Sequence, residues 1–230
     1  MKRKIVVLTV IVILAFAACA FAQYVPEVLR VKGDPQIMKK GADTWASCKE
    51  KTAVEDGDRI KTSKDEVVVI GFVENRKNII RVGGDSEVVM IDGLEPSYIV
   101  ELLNGEALAL LLSLPQDSNF EVRTPAGVSS ARGTGWRALT DGETATFEAY
   151  DNSIYVKGVY ADGKPMEYGI FVNMGYKTVV KKLEQPAPVQ RLTPEDIDRW
   201  NAWRDEVKYI QLRLTASGGT EKIDDLIRKK

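Results

Sequence analysis

Any catalysis by this chain would have to come from carboxylates, hydroxyls or a thiol, because its 230 residues include no histidine. That removes the commonest general base, the commonest metal ligand and every Ser-His or Cys-His pair in which an imidazole activates a nucleophile. Ser129 and Ser130 have no nearby base and read as ordinary strand or turn residues. Two Asp or Glu side chains would suffice for glycoside hydrolysis if a fold held them about 5 to 9 Å apart. Several of the carboxylates, however, stand beside glycines, as in Asp56-Gly57-Asp58, Asp92-Gly93, Asp141-Gly142 and Asp162-Gly163, where they serve turns. Gly83-Gly84-Asp85 is a lone copy of a tripeptide that binds calcium only in tandem nonapeptide repeats, and Asp56-Gly57-Asp58 is too short to complete a calcium shell. No catalytic residue, metal or cofactor is expected. A carboxylate-based enzyme acting on glycans is the remaining catalytic reading and would need two facing acids in a cleft.

Recognition is the chemistry left, and aromatic residues are its candidates. Trp45, Trp136, Tyr155 and Tyr160, if exposed, would be stacking platforms for sugars. Trp200 and Trp203 have two readings: the face by which a helix docks on the rest of the chain, or part of an exposed aromatic surface.

The elements that must hold these residues are mostly strands. Turn signals recur from Gly33-Asp34 to Gly175, many of them nine to twelve residues apart. The runs between them, such as Glu66 to Phe72, Glu87 to Ile91, Phe120 to Arg123, Thr144 to Phe147 and Ile154 to Lys157, are mostly rich in β-branched or aromatic residues, several of them alternating in part. The fold is expected to be mainly β, a solenoid, roll or sandwich-like stack of short strands. Leu102 to Leu112 fits either a short helix or a buried strand, and Asn104-Gly105 favours a strand entered from a tight turn. Residues 184–192, with Pro186 and Pro188, read as a stiff linker. Thr193-Pro194-Glu195-Asp196 then opens a helix: Thr193 caps, Pro194 takes the first position, and two carboxylates meet the positive end of the dipole. Ile197, Trp200, Trp203, Val207, Ile210 and Leu214 follow at helical spacing, and a second short helix is expected around Ile223 to Ile227.

The amino terminus has the order of a secretory signal: Lys2-Arg3-Lys4, an uncharged apolar run from Ile5 to Ala22, and Ala20-Phe21-Ala22 as a small-x-small cleavage site. Cleavage is expected after Ala22, giving a periplasmic or secreted protein. The competing readings are a retained N-terminal membrane anchor and a lipoprotein acylated at Cys19. The expected organisation is a signal peptide (1–22), a β domain (23–183), a Pro-containing linker (184–192) and a C-terminal helical segment (193–230). Without the signal the chain has 29 basic against 33 acidic residues, a net charge of −4, which argues against nucleic acid as a partner. Cys48 would then be the one cysteine left, so no internal disulfide is possible and the core must hold the fold.

The most distinctive run is Val122-Arg123-Thr124-Pro125-Ala126-Gly127-Val128-Ser129-Ser130-Ala131-Arg132-Gly133-Thr134-Gly135-Trp136. It resembles the T-P-x-A/G-x-x-x-x-R-G-T core of FecR-type extracytoplasmic domains. Glu55-Asp56-Gly57-Asp58-Arg59-Ile60-Lys61-Thr62 resembles the G-D-x-I-x-T entry strand of that family, Leu102 to Ala107 its L-x-x-G strand, and Gly169 to Val180 its last strand pair. The core residues Thr124, Pro125, Arg132, Gly133 and Thr134 are expected to be structural, turning a corner that Arg132 ties to carbonyls or a carboxylate. The resemblance implies a module that meets another protein of the cell envelope, for which an exposed strand edge would serve, with polysaccharide binding as the alternative. Four residues ahead of the apolar run could not hold a sigma factor, so the sigma-regulating activity of the family is not expected here.

Overall fold

The computed structural model describes residues 25–72, 78–92, 97–111, 114 and 116–216, with side chains of the last element described as far as residue 207. The expected signal, Cys19 and the expected second helix lie outside the described residues.

In chain order the strands are β1 (Glu27–Lys32), β2 (Gln36–Met38), β3 (Ala46–Ser47), β4 (Arg59–Lys61), β5 (Val67–Phe72), β6 (Asn78–Val82), β7 (Glu87–Asp92) and β8 (Ser97–Leu110). They continue as β9 (Asn119–Arg123), β10 (Gly127–Ala131), β11 (Gly135–Thr140), β12 (Thr144–Ala149), β13 (Ser153–Val159), β14 (Pro165–Asn173), β15 (Tyr176–Lys181) and β16 (Gln190–Arg191), before helix α1 (Pro194–Ala216). The long strand β8 belongs to two layers. Its second half lies in sheet A, ordered β1-β5-β6-β8-β11-β12-β15-β16, and its first half in sheet B, ordered β3-β2-β4-β7-β8-β9-β10-β13-β14. Neighbours are antiparallel except β8 and β9. Gly105, at φ +88°, sits where β8 passes from one sheet to the other. Asn104-Gly105 is therefore a bend within one strand, and the tight turn expected there is absent.

The sandwich-like reading holds. Phe72 and Trp136 from sheet A meet Tyr98 and Phe120 from sheet B, with ring centroids 5.0 Å apart for Phe72–Phe120 and 5.9 Å for Phe120–Trp136. Sheet A is apolar on its other face too, where Val67, Val69, Ile79, Leu108 and Leu110 form a second core with Trp200, Trp203 and Val207 of α1. This explains why β5 reads Val-Val-Val-Ile-Gly-Phe with every residue buried: a strand covered on both faces loses the polar half of its alternation.

Helix α1 starts with a reciprocal cap. Thr193 Oγ1 accepts from the Asp196 N–H (3.3 Å) and Asp196 Oδ2 accepts from the Thr193 N–H (3.0 Å). Charged groups fill the space between sheet and helix. Arg137 donates to Glu106 (2.9 Å) and Glu148 (3.2 Å), Tyr150 donates to Glu148 (2.6 Å), and Arg30 reaches Glu206 of the helix (2.6 Å). Burial would raise the Glu106 carboxyl, but Arg137 and Arg81 outweigh it and hold the group below the usual carboxylate range. The segment 184–192 is tied to β15, since the Ala187 N–H donates to Val179 (2.8 Å) and β16 pairs with Tyr176 and Lys177. Strands β14 and β15, expected as a pair, lie in different sheets and pair with β13 and β12.

The docking of α1 makes two predictions. Any side chain at Gly135 would collide with the Trp200 ring, whereas Gly133 opens onto free space. Gly135→Val should lower stability by roughly 1–3 kcal/mol and Gly133→Ala by less than about 0.5 kcal/mol, read from urea unfolding midpoints. Asp196 feels burial, which would raise its pKa, but the Lys177 ammonium and Thr193 hold it at about 2 against an ordinary 3.8. On acidification the unfolded chain therefore takes up this proton first. The contribution is whole above pH 4 and is lost as the pH falls from about 4 to about 2. Asp196→Asn should cost about 1 kcal/mol at neutral pH and flatten the stability profile across that window, as followed by pH-dependent thermal unfolding.

Candidate functional site: an aromatic edge strand beside the Thr-Pro turn

A sheet with open ends must protect its edges, because unpaired N–H and C=O groups invite another strand. Three of the four edges here are covered or short. The outer side of β1 is met by the 51–54 segment, where Val28 donates to Thr52 (2.9 Å) and accepts from Lys51 (2.7 Å). Beyond β15 lie residues 187–191, and β3 has two residues. The fourth edge, β14, runs for nine residues and, among the described residues, pairs with β13 alone.

This edge carries large apolar side chains in water. Tyr168 is 71% exposed, Phe171 68% and, in the following turn, Met174 62%, while Met166 and Val172 point into the core. Tyr155 of β13 packs against Phe171 with ring centroids 4.9 Å apart, accepts the Gly169 N–H on its hydroxyl (3.0 Å), and has the Lys157 ammonium 5.7 Å from its ring. Tyr160, half exposed, leads into the loop before β14 and lines a groove of about 270 Å³ with Ile91, Thr124, Pro125 and Leu183. Leu183 is held at φ +66°, a costly conformation for a bulky residue, with its side chain over half exposed.

Thr124 and Pro125 shape this groove from below. The Thr124 N–H donates to the Gly127 carbonyl (2.8 Å), and its Oγ1 accepts from the Gly127 N–H (2.9 Å), so Pro125 and Ala126 form the turn between β9 and β10. Arg132-Gly133-Thr134 is a second corner, carrying the chain from β10 in sheet B to β11 in sheet A. Thr134 is buried. Arg132 corrects an expectation: it is exposed and makes no hydrogen bond or ion pair among the described residues, because backbone bonds close the corner without it. Gly133 has neither a positive φ nor a close neighbour; Gly135 is the glycine that a contact requires.

Three aromatic candidates leave the surface. Trp136 is fully buried, its indole N–H donating to Ser129 Oγ (3.1 Å), and Ser129 in turn donates to the Val122 carbonyl (3.2 Å). Trp200 and Trp203 are buried under α1, where Trp200 stacks on Tyr150 at 4.4 Å, so the reading of these three as binding surface is corrected by burial in the two cores. Trp45 is partly exposed, but Lys61 Nζ lies 4.1 Å and the Arg59 guanidinium 5.9 Å from its ring centroid. It adjoins β3, at the opposite end of sheet B from Tyr155 and Tyr160, so the aromatics form no common platform for a sugar chain. Tyr168, Phe171 and Met174 escaped the sequence reading. Their signal was available: Phe171 is apolar between Ile170 and Val172, where a one-faced strand would place a polar residue.

The entry motif is structural. Asp58 is buried and accepts from Lys39, from the Lys40 N–H (3.0 Å) and from the Glu55 N–H (2.8 Å), while Thr62 accepts from the Ser86 N–H (3.0 Å). Cys48 is buried and free, and burial pushes its thiol up to about 11. Among the described residues no three His, Cys, Asp or Glu side chains gather as a metal site would need.

The Thr124 turn predicts a contrast. Thr124→Val should cost about 1–2 kcal/mol through lost buried hydrogen bonds, and Arg132→Ala less than about 0.5 kcal/mol, measured by denaturant unfolding.

Residues 58–155 match the family model described as FecR protein, so the resemblance seen in the Thr-Pro and Arg-Gly-Thr motifs is borne out over this stretch. None of the curated proteins compared matches the chain. Two crystal structures, at 1.65 and 2.50 Å resolution, of a proposed anti-sigma factor from Parabacteroides distasonis are similar to it. Each is 12% identical with a TM-score of 0.49, covering 62% of this chain and 63% of its own. The chain thus spans less than two thirds of the length of these solved proteins. The matched stretch ends within β13, and β14 lies just beyond it.

Proposed function

We propose that this chain is an exported, non-enzymatic binding module of the cell envelope, built on a FecR domain, that engages a protein partner through the edge strand β14. The observation that carries the reading is a nine-residue edge that pairs on one side and displays Tyr168 and Phe171 to solvent, while the other edges are covered or only two residues long. Edges of this kind take up an extended segment of a partner: main-chain hydrogen bonds supply affinity and side-chain pockets supply selectivity. The groove between Ile91, Pro125, Tyr160 and Leu183 is such a pocket, and it adjoins the loop that leads into β14. The signal-like amino terminus and the envelope role implied by the family support export. The mature chain's net charge of −4 and the absence of histidine support a protein ligand over nucleic acid or a catalytic task.

A photo-crosslinking amino acid placed at Phe171 in the producing cells tests this. The expected result is a discrete adduct with an envelope protein that is absent when the same group replaces Arg132 and is lost on adding Tyr168→Lys. Equal labelling from both positions, or recovery of the chain in the cytoplasmic fraction, would overturn the proposal.

A further inference from the structure

Resting on the reading of the groove beside β14 as a side-chain pocket, we infer that the side chain it takes from the partner is a long basic one, arginine or lysine, with its stem on the apolar walls and its charge on Glu101. The groove, of about 270 Å³, is lined by Ile91, Pro125, Val128, Tyr160 and Leu183 together with the charged residues Glu101, Arg123 and Lys182. An α-helix, about 10–12 Å across, does not enter such a volume, whereas one extended side chain does.

Three closed turns hold the walls in place. Thr124 and Gly127 bond across Pro125. The Tyr160 N–H donates to the Lys164 carbonyl (2.9 Å) and the Gly163 N–H to the Tyr160 carbonyl (2.9 Å). Around Leu183, the Glu184 N–H donates to the Lys181 carbonyl (2.9 Å). The pocket is formed before a guest arrives, which lowers the cost of filling it.

The charges decide the guest. Arg123 gives Nε and Nη2 to Glu121 Oε2 (2.9 and 2.8 Å), and Lys182 Nζ donates to Glu143 Oε1 (3.1 Å), so both cations are engaged by carboxylates outside the lining. Glu101 stands between Val89 of β7 and Arg123 of β9, is partly buried, and makes no hydrogen bond or ion pair among the described residues. An apolar guest would cover this carboxylate without pairing it, and an acidic guest would set a like charge against it; both cost free energy. A basic guest lays its methylenes along Pro125, Val128 and Leu183 and brings its charged head to Glu101, with the half-exposed Tyr160 ring adding surface for the stem.

Titration of the full chain with blocked peptides Thr-Val-Thr-X-Thr-Val-Thr, where X is arginine, lysine, norleucine or glutamate, tests the inference, with affinities read from the amide shifts of Gly127, Gly163 and Leu183. The arginine and lysine guests should bind roughly three- to tenfold tighter than norleucine, with glutamate weakest. Glu101→Gln should abolish the preference for basic guests with an unchanged melting temperature. Equal affinities for basic and norleucine guests, a preference that survives Glu101→Gln, or no shift at these amides from any guest would overturn the inference. The Phe171-specific adduct separates it from the reading beneath it. An adduct without the basic preference leaves the docking edge standing and overturns the pocket's selectivity; the basic preference without an adduct upholds the pocket and overturns the edge; the absence of both overturns both.

Discussion

Sheet A has two apolar faces, and the rest of the molecule is arranged to cover them. One face is met by sheet B, through a core in which Phe72, Tyr98, Phe120 and Trp136 interlock. The other would expose Val67, Val69, Ile79, Leu108 and Leu110 to water if α1 did not lie across it. Each such side chain is worth about 1.5–3 kcal/mol when fully buried, so helix and sheet are parts of one folding unit. The contact is made specific by shape: Gly135 lacks a side chain where the Trp200 ring rests.

Covering a sheet with a helix also brings charges out of water, and their pairing shows how the interface is ordered. Arg137 stands between Glu106 and Glu148, Arg199 of the helix lies 3.7 Å from Glu148, and Arg30 from the first strand closes on Glu206. Removing one member would leave another charge buried without a partner, which costs far more than a surface ion pair contributes. The family motifs find their place in the same framework. Asp58 and Thr62 tie loops to β4, Thr124 closes the β9–β10 turn, and the Arg-Gly-Thr-Gly run carries the chain between sheets. In this protein the motif residues build the scaffold, and the exposed aromatics that suit recognition lie outside them.

Sheet B has no comparable cover on its outer side among the described residues, and its ends differ. Beyond β2 it stops with the two residues of β3; past β13 it continues into nine residues of β14. The edges of sheet A are met by the 51–54 and 187–191 segments, which leaves β14 as the long edge whose outer side no described backbone group meets. Pro165 and Glu167 at the start of the strand are mild edge protection, and Gly169 to Asn173 has none.

The sequence by itself determined the β-rich class, the capped helix and its apolar stripe, and the Thr-Pro turn, because periodicity, caps and turn chemistry act between residues close in the chain. It also carried the FecR resemblance through the Thr-Pro and Arg-Gly-Thr spacing, which follows from two successive corners. Only the tertiary structure decided which aromatics are available. Trp136 and Phe171 look alike in sequence, yet one is buried against Ser129 and Phe120 and the other stands in solvent, because burial depends on which sheet face a strand presents and what lies over it. The same holds for β8, whose bend at Gly105 places one strand in two sheets, and for β14, whose edge position follows from strand order. Strand order is set by contacts between residues far apart in the chain, and local patterning carries little record of them.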